Sequence, residues 1–178
     1  MNVSVEPSQF GHLTDSDPLL RLVFEHVLRV RGERRFAALA DIDFFAVPAA
    51  VPHMFTMAVS GTPPRFRYKF SGTQVDRILG LNPMGRYLDD IYARPDHPIR
   101  VSYAELARIQ KPQILRAAFM PSTGLPRLLL RLAIPLSADG AAMTHVVGVL
   151  VMHFDRSGVT EIPKPGPPSV IDIAYLDA

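Results

Sequence analysis

The sequence predicts an α+β fold: a five-stranded antiparallel sheet, helices inserted between its second and third strands, and an N-terminal helix. Three observations support this prediction. Most of the 17 prolines lie between apolar segments rather than inside them, and proline is costly within helices and central strands. Residues 65–70 alternate aromatic and basic side chains, which is the two-residue period of a strand. Three further apolar segments of strand length follow Pro112.

The first regular element is predicted to be a helix within residues 17–35, after a flexible arm at residues 1–16. Asp17 is a favourable N-cap, Pro18 suits the first helical position, and Gly32 can end the helix. Apolar side chains recur along one face, so the helix packs on a core or pairs with a second copy of itself. If the helix pairs with a second copy, the chain forms a homodimer, which is the oligomeric state we predict. Its dimer face consists of Leu19, Val23, Val27 and Val30.

The remaining elements form a predicted core over residues 36–156. Two strands make a hairpin, short helices follow within residues 73–111, and three strands linked by hairpin-type turns end the core. We expect the helices to cover one face of the sheet. The predicted strands span residues 55–60, 65–70, 113–119, 127–136 and 144–155. A Pro-rich tail follows at residues 157–178, in which residues 170–175 join the sheet edge, dock on a partner or stay loose.

Composition and charge restrict the function classes. The chain has no cysteine, which excludes disulfides, cysteine-ligated metal sites and a thiol redox switch. Its 19 Lys and Arg nearly balance 17 Asp and Glu, so we expect no nucleic-acid partner, because such proteins concentrate basic residues on one face. The longest apolar run, residues 146–152, is far shorter than the roughly 18 residues of a spanning helix. With no signal-peptide pattern at the N-terminus, we expect a cytoplasmic protein without a membrane partner.

Side chains suited to catalysis or metal binding are sparse. His145 and His153 share a predicted strand face but lie roughly 26 Å apart along it, so we predict no metal site. Asp89 and Asp90 are adjacent and point apart on a helix, which does not suit a catalytic pair. His97 stands between Asp96 and Pro98, at a predicted helix start. We therefore expect it to face solvent or form a hydrogen bond there, and we do not expect it to bind haem. We therefore predict no catalytic residues and no enzyme.

A run of aromatic, turn and cap residues carries a resemblance to a known fold. Residues 66–73 lead into Gly80 and then into Gly85-Arg86. In order and spacing these motifs resemble the PAS sensory fold, and more narrowly a family of short single-domain bacterial PAS-like proteins, over roughly residues 17–156. The residues of this structural motif are Gly72, Thr73, Gly80, Gly85 and Arg86.

The motif has expected local roles and some departures from the family. We expect Thr73 to cap a helix and Gly72 to permit a tight strand-to-helix turn. Asn82 replaces the Asp usual in the family, Met84 precedes the Gly-Arg turn, and Lys69 stands where Arg is common.

The resemblance implies a class of function without naming a ligand. PAS domains bind small molecules, haem or flavin, or act only as protein-interaction modules, and they commonly dimerise through an N-terminal helix. The absence of cysteine excludes the flavin photochemistry that forms a cysteine adduct. The cofactor is therefore unknown, and haem is not favoured.

The candidate ligand pocket lies between the predicted sheet and the inserted helices, and it is apolar with tyrosine hydroxyls and an arginine as polar groups. Its predicted lining residues are Phe66, Tyr68, Phe70, Ile78, Leu79, Tyr87, Ile91, Tyr103, Leu106, Arg116, Phe119, Leu130 and Val149. The alternative is a filled core with no cavity.

We predict a stand-alone PAS-like sensory or signal-relay domain that binds a small apolar ligand, an unknown protein partner or both, and acts in trans. The alternative is a ligand-free interaction adaptor with a packed core. An enzyme on a cone-like α+β fold would need a buried polar cluster that the sequence does not contain.

Overall fold

The computed structural model describes residues 17–119, 127–154 and 169–177. The predicted arm at residues 1–16 and the proline cluster of the tail lie outside the described residues. The helices are α1 (Pro18–Arg31), α2 (Thr73–Leu79), α3 (Leu88–Ile91) and α4 (Pro98–Ile109). The strands are β1 (Met54–Ser60), β2 (Arg65–Ser71), β3 (Gln113–Phe119), β4 (Arg127–Leu136), β5 (His145–Phe154) and β6 (Ser169–Tyr175). The predicted α+β class is confirmed.

The antiparallel sheet has six described strands rather than the five predicted, in the order β2-β1-β5-β4-β3-β6. The added strand, β6, belongs to the segment that was predicted as a Pro-rich tail. It pairs with β3, with Gln113 opposite Tyr175, and an ion pair of 2.8 Å joins Arg116 Nη2 to Asp172 Oδ2 across the two strands. The alternation of residues 170–175 is weak, so their sequence does not distinguish between joining the sheet edge, docking on a partner and staying loose. Joining the edge satisfies backbone groups that β3 would otherwise expose.

Helix α1 begins and ends where its capping residues predict. The carboxylate of Asp17 accepts from the backbone N–H of Leu19 at 2.9 Å and of Leu20 at 3.3 Å. Its other oxygen lies 2.7 Å from His153 Nε2 on β5, which ties the start of the helix to the sheet. Gly32 ends the helix with a positive φ of 59°. No helix in the described ranges is long and apolar enough to cross a membrane.

Helices cover both faces of the sheet, which corrects the prediction of one covered face. Helix α1 and three 3₁₀ turns (Leu39–Asp41, Phe44–Ala46 and Val51–His53) cover one face, here called the α1 face. Helices α2, α3 and α4 cover the other, here called the cavity face. Strands β4 and β5 are almost wholly buried, and a strand buried on both sides needs a layer on each.

The predicted dimer face on α1 is occupied within the chain itself. Val23 and Val27 are buried against the sheet, and Leu19 and Val30 pack partly buried on the same core. The stripe therefore follows the first of the two alternatives, packing on a core. The apolar side chains of β4 and β5 on the α1 face lie beneath the helix. A wide hydrophobic stripe on α1 is needed to cover them.

The structural-motif residues make the turn from β2 to the inserted helices. Gly72 is the N-cap of α2, and a Cβ there would lie 2.4 Å from the carbonyl oxygens of Val51 and Pro52, so only glycine fits. Thr73 is the first helical residue and is exposed, so the prediction that its side chain caps the helix is wrong. Gly80 ends α2 in the left-handed conformation at φ 72°.

The Gly85-Arg86 turn covers the outer edge of the sheet. Gly85 N donates to the carbonyl oxygen of Tyr68 at 2.9 Å, and Tyr68 N donates to that of Arg86 at 3.0 Å. A further bridge pairs Arg67 with Tyr87. These contacts occupy backbone groups of β2, which would otherwise be a free edge strand.

Candidate functional site

A cavity of about 260 Å³ lies between the cavity face of the sheet and helices α2, α3 and α4. Its walls are apolar except for three tyrosines and one arginine. The apolar lining residues are Phe55, Ile78, Leu79, Leu81, Ile91, Ile99, Leu129, Leu150 and Met152. The polar ones are Tyr68, Tyr92, Tyr103 and Arg131. Because the residues come from four strands and three helices, the cavity exists only in the folded sheet–helix arrangement.

Phe55 forms part of the cavity floor, and Gly148 makes room for it. The two residues lie opposite each other on β1 and β5. A Cβ on Gly148 would lie 2.2 Å from the Phe55 ring and 2.5 Å from the carbonyl oxygen of Leu132. The ring also packs against Tyr68, with centroids 5.9 Å apart. Glycine within this strand thus marks a close approach of a ring to the backbone.

Arg131 supplies the charge of the cavity. It is 3% exposed on β4, and its guanidinium carbon lies 4.2 Å from the centroid of the Tyr103 ring. Nη1 donates to Ser102 Oγ at 3.1 Å, and Nη2 donates to Gln113 Oε1. Both partners are neutral, so within the described residues hydrogen bonds hold the guanidinium in place without a counter-charge.

Gln113 continues this network away from the cavity. Its Nε2 donates to the carbonyl oxygen of Ser102 and to the hydroxyl of Tyr175 on β6, both at 3.0 Å. The Tyr175 hydroxyl lies 3.4 Å from Glu105 Oε2 on α4. Buried and partly buried hydrogen bonds therefore connect the cavity arginine to the last strand of the sheet.

The cavity tyrosines remain neutral phenols near pH 7. Burial raises the pKa of Tyr92 to about 12, with nearby Tyr103 adding to the effect. Burial also raises the pKa of Tyr68 well above its usual range. It raises the pKa of Tyr103 too, against the opposing charge of Arg131. Neutral hydroxyls both donate and accept hydrogen bonds, so they suit a polar group of a bound molecule.

The predicted pocket residues divide into several groups. Those that line the cavity are Tyr68, Ile78, Leu79, Ile91 and Tyr103. Phe66 and Leu106 belong to the same apolar layer without lining the cavity. The predicted layer between the sheet and the inserted helices therefore exists, and the predicted strand residues Phe66 and Tyr68 face it.

Phe70, Leu130 and Val149 lie on the α1 face, which corrects their predicted place in the pocket. For Phe70 the cause is a bulge: Met57 pairs with Tyr68 and Thr56 with Phe70, so Lys69 has no partner and the alternation reverses. For the residues of β4 and β5 the cause is burial on both faces. An apolar run without alternation does not indicate which side faces which layer.

Of the last three predicted pocket residues, two lie elsewhere and the side chain of the third is not described. The Tyr87 ring stands 4.0 Å from the guanidinium carbon of Arg65 at the β2 edge. Arg116 pairs with Asp172 of β6 and does not line the cavity. Phe119 ends β3, and its side chain lies outside the described residues.

The sequence interpretation overlooked Arg131, although a signal was present. Leu128 to Pro135 is an apolar stretch apart from this one residue. A charged side chain in the middle of a strand buried on both faces needs a partner or a function. This signal favours Arg131 over Arg116 as the arginine of the pocket. Because side chains on one face of a strand recur every two residues, it also favours Leu129 over Leu130 as a lining residue.

The side chains considered for catalysis or haem binding, His97, Asp89 and Asp90, have structural partners. His97 Nδ1 accepts from the backbone N–H of Ile99 at 3.2 Å as the N-cap of α4, and its ring stacks on Tyr92. Asp89 Oδ2 accepts from Arg65 Nε at 3.0 Å, and Asp90 accepts from the backbone N–H of Tyr87. Among the described residues, no group of three His, Asp or Glu side chains is placed to hold a metal ion.

The histidine pKa values reflect partial burial. Burial lowers the pKa of His97, and the charges of Arg94 and Arg100 lower it further, against the opposing effect of Asp96. Burial likewise lowers the pKa of His145, with Lys69 adding to the effect.

Neither a protein-family model nor a curated protein matches this chain. The resemblance to PAS-like proteins therefore rests on the sequence motifs and the order of the elements.

Proposed function

We propose that this chain is a PAS-like sensory or signal-relay domain that binds a small apolar ligand and acts through another protein. The observation that carries the proposal is the cavity of about 260 Å³ with almost wholly apolar walls. A well-formed apolar cavity with a few convergent polar groups is the usual form of a small-molecule site. The order β2-β1-β5-β4-β3, with three helices between β2 and β3, supports the PAS-like part of the proposal.

The size of the cavity limits the ligand. An apolar cavity of about 150 Å³ takes up benzene, so about 260 Å³ corresponds by proportion to roughly ten non-hydrogen atoms. The walls are aliphatic and aromatic, which favours an aliphatic chain or a single ring. A large cofactor such as haem or flavin exceeds this space.

The proposed signal leaves the cavity through the hydrogen-bond network around Arg131. A ligand that bonds to this side chain competes with its bonds to Ser102 and Gln113, and Gln113 also bonds to Tyr175 on β6. Occupancy would then shift the balance between two positions of β6, and a ligand shifts such a balance only by its different affinity for the two. A partner protein that binds β6 or its flanking segment in one of the two positions would receive the signal.

The test is native mass spectrometry of the purified protein, compared with the same sample after denaturation. We expect a small bound mass that is released on denaturation. The variant Ile78→Phe fills the cavity and should lose the mass. Its control, Ile109→Phe, adds the same volume to a helix residue that does not line the cavity and should retain it. A wild-type protein that carries no mass and also fails to bind added octan-1-ol contradicts the proposal.

A second candidate function, the ligand-free interaction adaptor, is favoured by one observation. Phe45 is 93% exposed and lines an apolar groove, and contiguous exposed apolar patches often mark contact sites. The other residues that line the groove are Leu39, Phe44, Pro48, Val51 and Phe70, together with the polar Thr56 and Lys69. We take a second copy of the chain as the occupant, which preserves the predicted homodimer at a place other than α1.

Sedimentation equilibrium tests this second candidate. If the groove is the contact, Phe45→Ser shifts a dimer to monomer, whereas Ala46→Ser on the neighbouring exposed residue leaves the dimer intact. A wild-type monomer, or a dimer unaffected by Phe45→Ser, contradicts it.

A further inference from the structure

We propose that the cavity selects an anionic ligand, a small acid with an apolar body whose carboxylate binds Arg131. The inference rests on the proposed ligand-binding function and names the chemical class of the ligand. It is carried by the buried guanidinium, its neutral surroundings and the composition of the cavity walls.

Arg131 is a buried charge without a counter-charge among the described residues. Its contacts are Ser102 Oγ, Gln113 Oε1 and the Tyr103 ring, all neutral, and it forms no ion pair with any acidic side chain in the described ranges. Its Nε is buried and has no hydrogen-bond partner in the part of the chain that the structure describes. Arg116 provides the contrast, because its buried Nε is also unpartnered but its guanidinium pairs with Asp172.

The energetics favour an anion at this position. An arginine stays charged under all conditions of the folded protein, and burial of an uncompensated charge is costly. Of the five N–H donors of a guanidinium, two have described acceptors here. Arg131 lines the cavity, so a ligand carboxylate there can accept from the donors that remain and supplies a negative charge.

The other walls define the rest of the ligand. None of the described lining residues is acidic, so nothing compensates a cationic ligand. Leu129 lies two residues before Arg131 on β4, and Leu150 is paired with Arg131 on β5. Phe55 and Met152 extend the apolar surface. The ligand therefore has its charge at one end and an apolar body of a size close to a chain of eight carbons.

Three probes of equal chain length separate charge from apolar burial: octanoate, octan-1-ol and octylamine, titrated into the full chain at pH 7 by calorimetry. We expect octanoate to bind about tenfold or more tightly than octan-1-ol, the factor that corresponds to a hydrogen bond with a charged group. We expect octylamine to bind most weakly. If octan-1-ol binds as tightly as octanoate, or octylamine binds best, the anion is wrong while ligand binding stands. If no probe binds, ligand binding itself is wrong, and the anion with it.

Variants then test whether Arg131 is the source of the preference. Arg131→Met should lower octanoate affinity about tenfold or more while octan-1-ol affinity stays within about threefold. Arg131→Lys keeps the charge and loses the fork, so it should retain part of the preference. Arg77→Met removes an exposed arginine on α2 as the matched control and should leave the preference unchanged.

A purely structural role for Arg131 predicts a different pattern. In that case wild type shows no acid-over-alcohol preference, and Arg131→Met weakens all probes equally through loss of folding, which circular dichroism detects. The wild-type comparison of the three probes needs no variant, so the proposal can be refuted even if Arg131→Met does not fold.

Discussion

Substitution of Gly148 by alanine is the sharpest perturbation of the cavity floor. The new Cβ would lie 2.2 Å from the Phe55 ring and 2.5 Å from the carbonyl oxygen of Leu132. The ring can move only away from the sheet, into the cavity that it lines, and the backbone oxygen of a central strand cannot move cheaply. Overpacking of a buried site costs about 1–3 kcal/mol. For a chain of this length that cost lowers Tm by roughly 2–12 °C.

Urea denaturation followed by circular dichroism measures this cost, and a double-mutant cycle assigns it. Phe55→Leu removes the ring and should relieve part of the strain, so Gly148→Ala should cost less in the Phe55→Leu background than in wild type. We expect a coupling of about 1 kcal/mol or more, with the residual cost due to the Leu132 oxygen. Gly148→Ala alone should also weaken octan-1-ol binding, because it displaces the Phe55 ring into the cavity. If Gly148→Ala is neutral, or if the two changes are additive, the reasoning about the floor is refuted.

Three further predictions concern the elements around the cavity. Asp17→Ala removes the N-cap of α1 and should lower the free energy of unfolding by about 1 kcal/mol in urea denaturation. Asp172→Asn removes the ion pair with Arg116, and hydrogen exchange should show faster exchange of the β6 amides with β4 unchanged. The pKa of His97 is lowered in the fold, so its neutral form is favoured there. That contribution to stability is complete above the unfolded pKa of about 6.5 and is lost as pH falls through the lowered folded pKa. His97→Asn keeps a good N-cap and should flatten this pH dependence, which an unchanged profile would contradict.

The sequence was most informative where local chemistry decides the structure. Asp17-Pro18 and Gly32 predict α1 because capping involves only neighbouring residues. The alternation of residues 65–68 predicts the inward face of β2 because one side of that strand is exposed. Proline boundaries predict the order of the elements for a related reason, since the cost of proline in a helix or strand is local.

Long-range pairing and face assignment were not predictable in the same way. The bulge at Lys69 reverses the side of Phe70, and a one-residue change in register moves every later side chain to the other face. The fully apolar β4 and β5 carry no alternation, so Leu130 and Val149 were assigned to the wrong layer. The pairing of β6 depends on an edge that forms only in the folded sheet.

The most direct test of the central claim is the ¹³C methyl spectrum of methionine-labelled protein during titration with octan-1-ol. Met152 lines the cavity, whereas Met54 lies in the core of the α1 face. The ligand-binding account predicts that the Met152 methyl shifts with saturation while the Met54 methyl stays in place. A spectrum in which the Met152 methyl does not move, or in which both methyls move together, contradicts it.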